Sequence, residues 1–204
     1  EYKQGGFNGK VALDDPNGCI YLNGDVNVTS KIPTFNFLAV ITRLRPNDLN
    51  LTPQYPETEF SLKVKANFSG GSVDDMIGQI NIDSLEVNGP DKSYFMENMN
   101  ISATRQNDEN QLKLISEFLT ASIKGHFQYH TPSLILPPKK KIETHNNFQF
   151  DINIYNTDIL STVFDIPLSV YTHSTLKGYV NDTLQRIRVE GYFPRLQYKD
   201  NYIE

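Results

Sequence analysis

The chain has 204 residues, 38% of them apolar, with no Trp, one cysteine and a net charge of −5 spread over interspersed charges of both signs. That balance excludes the basic footprint of nucleic-acid binding, and a lone cysteine excludes an intrachain disulfide or a thiolate metal cluster. No apolar run reaches the roughly 18 residues that a membrane-spanning helix needs.

Side chains of a strand point to opposite faces with period two, and that period runs through the chain. Phe7–Leu13, Cys19–Thr29 and Thr34–Leu44 are expected as a meander of three strands. Turns at Asp14-Asp15-Pro16-Asn17-Gly18 and Ser30-Lys31-Ile32-Pro33 join them with the residues that turns favour. Arg45–Pro56 reads as an irregular connection with one helical turn. Strands Phe60–Ser69, Ile77–Val87, Tyr94–Thr104, Gln111–Ser116 and Leu119–Tyr129 follow, with connections short enough to make sequence neighbours antiparallel. In the last of these, Leu119, Ala121, Ile123, Gly125, Phe127 and Tyr129 share one side, and Thr120, Ser122, Lys124, His126 and Gln128 the other.

Thr131–Thr144 breaks the pattern with three prolines and the run Lys139-Lys140-Lys141. It reads as a loop with a short helix at its start, its lysines a solvated turn or a contact for acidic headgroups. Phe148–Tyr155 is the next strand. Asn156-Thr157-Asp158 reads as a helix N-cap before Ile159–Phe164. Leu168–Ser174, Thr175–Val180, Leu184–Phe193 and Arg195–Tyr202 complete the strands. No sharp domain boundary interrupts them, so residues 1–204 are expected as a single β-groove unit with irregular connections near 45–58 and 131–146. A first residue of Glu rather than Met suggests a segment of a longer protein.

Catalytic signatures are absent: there is no Gly-rich phosphate loop, no Gly-x-Ser-x-Gly and no Cys-x-x-Cys. His126 and His130 are four apart in strand-and-turn pattern, which does not give helical metal-ligation geometry, so no metal is expected. The Asp14-Asp15 and Asp74-Asp75 pairs sit where Asp caps turn backbone. Asn-x-Ser/Thr triplets, among them those at Asn27, Asn67, Asn100 and Asn181, are near the number expected by chance for this composition. Neither an enzyme nor a cofactor is expected.

The expected fold is therefore all-β: long amphipathic antiparallel strands with one or two short helices. Such a sheet must hide its apolar face, worth about 25 cal/mol per Å². A second sheet, closure into a barrel, or a curled groove filled by a hydrophobic ligand would each do so and each needs the same alternation. A lipid-facing barrel would need aromatic girdles that are not evident.

Particular residues carry a resemblance to a known family. Leu44-Arg45-Pro46 through Leu49-Asn50-Leu51-Thr52 and Tyr55-Pro56 form one segment. Ala66-Asn67-Phe68-Ser69-Gly70 with Asp74-Asp75 and Gly78, then Ile82-Asp83-Ser84-Leu85, form the next. Ser116-Glu117-Phe118-Leu119 leads into Ile123-Lys124-Gly125, and Ser133–Pro137, Asn147-Phe148 and Asn156-Thr157-Asp158 follow. In this order and spacing the chain resembles the C-terminal region of the TamB (translocation and assembly module) family in its Bacteroides-like form. Glu117 stands where that family more often has Asp, and His126 also departs from its pattern.

The resemblance implies a curled half-pipe of the AsmA/TamB bridge-like lipid transfer type, in which phospholipid acyl chains slide along an apolar interior. It implies a periplasmic segment of a protein held in the inner membrane by an N-terminal helix. It also implies a part in outer-membrane protein assembly with a TamA-type barrel as partner. Leu62, Val64, Phe68, Ile123, Phe127, Phe148, Phe150 and Ile152 are the residues expected to line the groove, with packing in a closed core as the competing reading. The alternative function is a structural or adhesive β-sandwich or solenoid module that binds a protein or glycan through its loops.

Overall fold

A computed structural model describes residues 2–3, 5–128, 146–159, 167–199 and 201–203. The Thr131–Thr144 loop with its lysine run, Tyr129, and all but the first residue of the expected helix Ile159–Phe164 lie outside the described residues. Nearly all of the regular secondary structure described is strand. The strands are β1 (Tyr2–Lys3), β2 (Gly6–Asp15), β3 (Gly18–Asn27), β4 (Thr34–Leu44), β5 (Glu59–Ser69), β6 (Ile77–Asn88), β7 (Ser93–Gln106) and β8 (Glu109–Ser116). They continue as β9 (Leu119–His126), β10 (Asn147–Ile154), β11 (Leu168–Val170), β12 (Ser174–Asn181), β13 (Arg186–Tyr192), β14 (Leu196–Tyr198) and β15 (Asn201–Ile203).

Twelve of them form one antiparallel sheet in the order β1 through β10, then β12 and β13, and it does not close into a barrel. Short turns dictate that order. Pro16-Asn17 alone links β2 to β3, with Asp15 paired to Gly18 and the Asp15 carboxylate accepting from the Asn17 amide. Asn107 and Asp108, both at positive φ, link β7 to β8 as a two-residue hairpin turn of the kind whose twist matches its strands. Asn27 caps the turn after β3 by accepting from the Thr29 and Ser30 amides. Asp75 does the same for Gly71 and Ser72. Burial pushes the Asp75 carboxyl pKa up, but the hydrogen bonds from Ser72 and Gly71 outweigh it and hold the pKa below the ordinary value.

The connection after β4 does contain a single helical turn, closed by Leu49 N–H to the Arg45 carbonyl. Two expectations need correction. Leu168–Ser174 is not a strand of the main sheet: only Leu168–Val170 is extended, and it pairs with β14 in a separate three-stranded sheet, β11-β14-β15. Arg195–Tyr202 is not one strand either. Lys199 adopts φ 53° and folds the segment back, so β14 and β15 pair with each other.

Irregularities bend the main sheet. Ser84, at φ 54°, is an extra residue in β6 opposite β5, and the ladders β3–β4 and β4–β5 each shift register once. Such bulges bend the bulged strand and raise its twist. Two glycines act in the same sense. Gly78 and Gly125 have φ of 130° and 127°, and a Cβ on either would press into the neighbouring strand, 2.6 Å from the Phe68 Cα and 2.8 Å from the Phe148 Cα. Glycine kinks flanked by an aromatic residue are a way to curl a sheet without losing apolar cover.

The closed core is small and lies along one rim of the sheet, at the strand ends of β6 to β10. Met96, fully buried, packs with Phe118 from the β8–β9 turn and with Ile159, over Ile82, Leu85, Tyr94, Met99 and Leu119. The Ser116 hydroxyl bonds both the amide and the carbonyl of Leu119, which fixes the turn that drives Phe118 inward. The Phe118 carbonyl in turn accepts from the amides of Tyr155 and Asn156, tying the end of β10 to the same place.

Candidate functional site

Register turns the alternation of each strand into rows that cross the whole sheet. One row reads Phe7, Val26, Phe35, Phe68, Gly78, Ala103, Leu112, Ile123, Phe150, Gly178, Val189, each residue paired with the next. It holds no polar side chain. The row beside it on the same face reads Gly9, Gly24, Phe37, Ala66, Ile80, Ile101, Leu114, Ala121, Ile152, Leu176, Gly191, again without a polar side chain.

The opposite face is the inverse. Asn8, Asp25, Asn36, Asn67, Gln79, Ser102, Lys113, Ser122, Asp151, Lys177 and Glu190 form an unbroken polar row. At the β8–β13 end this face carries a shallow cleft of about 500 Å³ among Lys124, Gln149, Lys177, Tyr179, Arg188 and Glu190. Its charges are matched there, with Lys124 on Glu109 at 3.4 Å and Lys177 on Glu190 at 3.9 Å.

All eight residues expected to line a groove lie on the apolar face. Phe68, Ile123 and Phe150 stand in the first row and Ile152 in the second. Val64 is in the row that joins Ala39 to Ile82, and Leu62 pairs with Ile41. Phe148 pairs with Gly125, and Phe127, just past β9, meets the Phe148 ring edge-on at 6.1 Å. They form two groups. Leu62, Val64 and Phe68 are on β5, and the other five are on β9, β10 and the residue after β9. Four ladder steps separate β5 from β9, about 19 Å at the usual strand spacing. Gly78, Ala103 and Leu112 bridge them in the first row.

Sequence reasoning missed the apolar residues of β4, β6, β7 and β8 as members of the same surface. Phe35 is the clearest case, its ring stacked on Phe68 at 4.5 Å. The signal was present in the shared alternation, but pairing partners are needed to join separate strands into a row.

No second layer covers these rows among the described residues. Ala66 and Ala103 are buried beneath larger neighbours, while the Phe, Ile and Leu side chains of β4 to β10 in both rows are only half-buried. Exposure rises toward the edges, at Val11 and Leu13 on β2 and at Ile187 and Val189 on β13. The face is thus an open apolar trough running across the strands, flanked along one rim, at the strand ends of β6 to β10, by the cluster in which Phe118 and Ile159 pack over Met96.

That rim carries the one strongly displaced ionisation among the described residues. Tyr94 lines a cleft of about 680 Å³ with Lys92, Phe95, Glu117, Phe118, Asn156 and Asp158. Burial, then the negative charges of Glu117 and Asp158, push its hydroxyl pKa up to about 12. Among the described residues no three His, Cys, Asp or Glu side chains converge to hold a metal ion. No family model, curated protein or solved structure matches the chain.

Proposed function

We propose that this chain is a lipid-carrying segment of a TamB/AsmA-like bridge protein, in which the apolar trough takes phospholipid acyl chains. The observation that supports this reading is the uncovered row from Phe7 to Val189, eleven positions without a polar side chain. Ten ladder steps at about 4.8 Å make it about 48 Å long. One leaflet of a bilayer core is about 15 Å thick, so roughly three acyl chains fit in line.

The physical basis is simple. Each methylene moved from water onto the trough is worth up to about 0.8 kcal/mol, while charged headgroups stay in water at the open edges. Binding of this kind has no directional contact, so a chain slides from one strand to the next without a deep trap. No catalytic residue is required. Leu62, Val64, Phe68, Ile123, Phe127, Phe148, Phe150 and Ile152 act here as a low-specificity lining. In the whole protein such a segment stands in the periplasm between an inner-membrane anchor and a TamA-type barrel, and serves outer-membrane biogenesis.

The test is native mass spectrometry of the purified chain with extraction of bound lipid. Co-purified phospholipid is expected, lost in Ile123→Asp and Phe150→Asp but retained in Ser122→Asp, whose side chain is on the polar face. Circular dichroism checks that each variant folds. A lipid-free mass with no uptake of added fluorescent phospholipid overturns the reading and leaves a structural or partner-binding module.

A further inference from the structure

An open sheet has two edges, and they differ. β1 covers part of β2, pairing at Phe7 and Gly6. Among the described residues β13 pairs with β12 on one side only, and every one of its seven residues is exposed. Ile187 is 73%, Val189 56% and Tyr192 64% exposed. Free edges are usually blunted by proline, a bulge or an inward charge. β13 has no proline and pairs with β12 over its whole length without a register shift. No described residue pairs with its outer backbone groups, which form a template for another strand.

The side chains of β13 indicate which strand. Arg188 and Glu190 lie on the polar face two residues apart, with Val189 between them on the apolar face. In an antiparallel pairing of β13 with itself, centred on Val189, Arg188 stands opposite Glu190 of the second copy and Glu190 opposite its Arg188. Within one chain Glu190 already holds Arg188 Nε at 2.7 Å and Lys177 at 3.9 Å. The two-fold axis thus brings two such groups together as a network of alternating sign. On the other face Val189 meets its own copy and Ile187 meets Gly191, so apolar positions meet apolar positions.

We propose that β13 is a homodimerisation edge, on which a second copy of this chain pairs antiparallel through Arg186–Tyr192 about a two-fold axis at Val189. The axis stands perpendicular to the sheet, so the apolar face of one copy runs on into that of the other. The pairing depends on the edge alone and holds whatever the trough carries.

Charge reversal tests it, because opposite charges across a strand pair stabilise and like charges destabilise. Sedimentation velocity is run over a concentration series up to the solubility limit. The wild-type chain is expected to dimerise, and Arg188→Glu and Glu190→Arg are each expected to weaken association by about tenfold. An equimolar mixture of the two variants then restores the dimer, because one copy carries two acids where the other carries two arginines. The double variant Arg188→Glu/Glu190→Arg dimerises by itself.

A second measurement is independent of charge. Directly opposite Cα atoms in an antiparallel pair are about 4.5–5.5 Å apart, within disulfide range. Val189→Cys in a Cys19→Ser background therefore yields a disulfide-linked dimer on mild oxidation, and Thr183→Cys in the preceding turn does not. A wild-type chain that stays monomeric throughout, or a dimer indifferent to both reversals and not trapped at position 189, overturns the proposal.

Discussion

Gly125 lies directly opposite Phe148, and a Cβ on Gly125 would sit 2.8 Å from the Phe148 Cα. At φ 127° the β9 backbone is in a region that L side chains rarely enter. Gly125→Ala is therefore expected to cost about 1–3 kcal/mol of stability, read as a shift in the urea unfolding midpoint. Gly71 is the control, since a Cβ there would find its nearest neighbour, the Pro33 Cγ, at an ordinary 3.7 Å. Gly71→Ala is expected to stay within about 0.5 kcal/mol of wild type. Equal effects at the two sites would remove the argument that glycine kinks shape the sheet.

Met96 is the largest fully buried side chain in a sheet that otherwise buries little. Met96→Ala empties the space under Phe118 and Ile159 and is expected to cost about 2–5 kcal/mol. For a chain of this size that corresponds to a melting temperature lower by about 5–15 °C. Ile115→Ala, on the exposed polar face, is expected to shift it much less. A melting temperature unmoved by Met96→Ala would mean that the end cluster does not hold the fold.

Tyr94 ties stability to alkaline pH. Its pKa of about 12 in the folded chain lies above the ordinary 10, so between those values the folded state holds the proton that the unfolded state has lost. Its contribution is fully present below pH 10 and is lost as pH rises through about 12. Denaturation measured between about pH 9 and 12 is expected to show a steeper loss for wild type than for Tyr94→Phe. Glu117→Gln is expected to bring the Tyr94 ionisation, followed by ultraviolet absorbance, toward the ordinary value. Identical alkaline limbs for wild type and Tyr94→Phe would exclude the linkage.

The faces of the strands were legible in the sequence because period two is a local property. Thr34–Leu44 is extended over that whole span, and Leu62, Val64, Phe68, Ile123, Phe127, Phe148, Phe150 and Ile152 all share one face. The bulge in β6 was legible in principle, since the apolar positions pass from Ile80 and Ile82 to Leu85 and Val87 and skip a beat at Ser84. The turns were legible too, because Asp15 and Asp75 cap backbone where the local residues predict it.

The sequence by itself determined an all-β chain with one apolar and one polar face, because side-chain direction along a strand follows from backbone geometry alone. Only the tertiary structure decided what each face meets. That β11 pairs with β14, that β12 follows β10 in the sheet, and that Phe118 and Ile159 cover only one rim of the apolar face are outcomes of long-range pairing. Sandwich, barrel and open trough share one alternation, and they differ only in which strands are neighbours and in how far bulges and glycines bend the sheet.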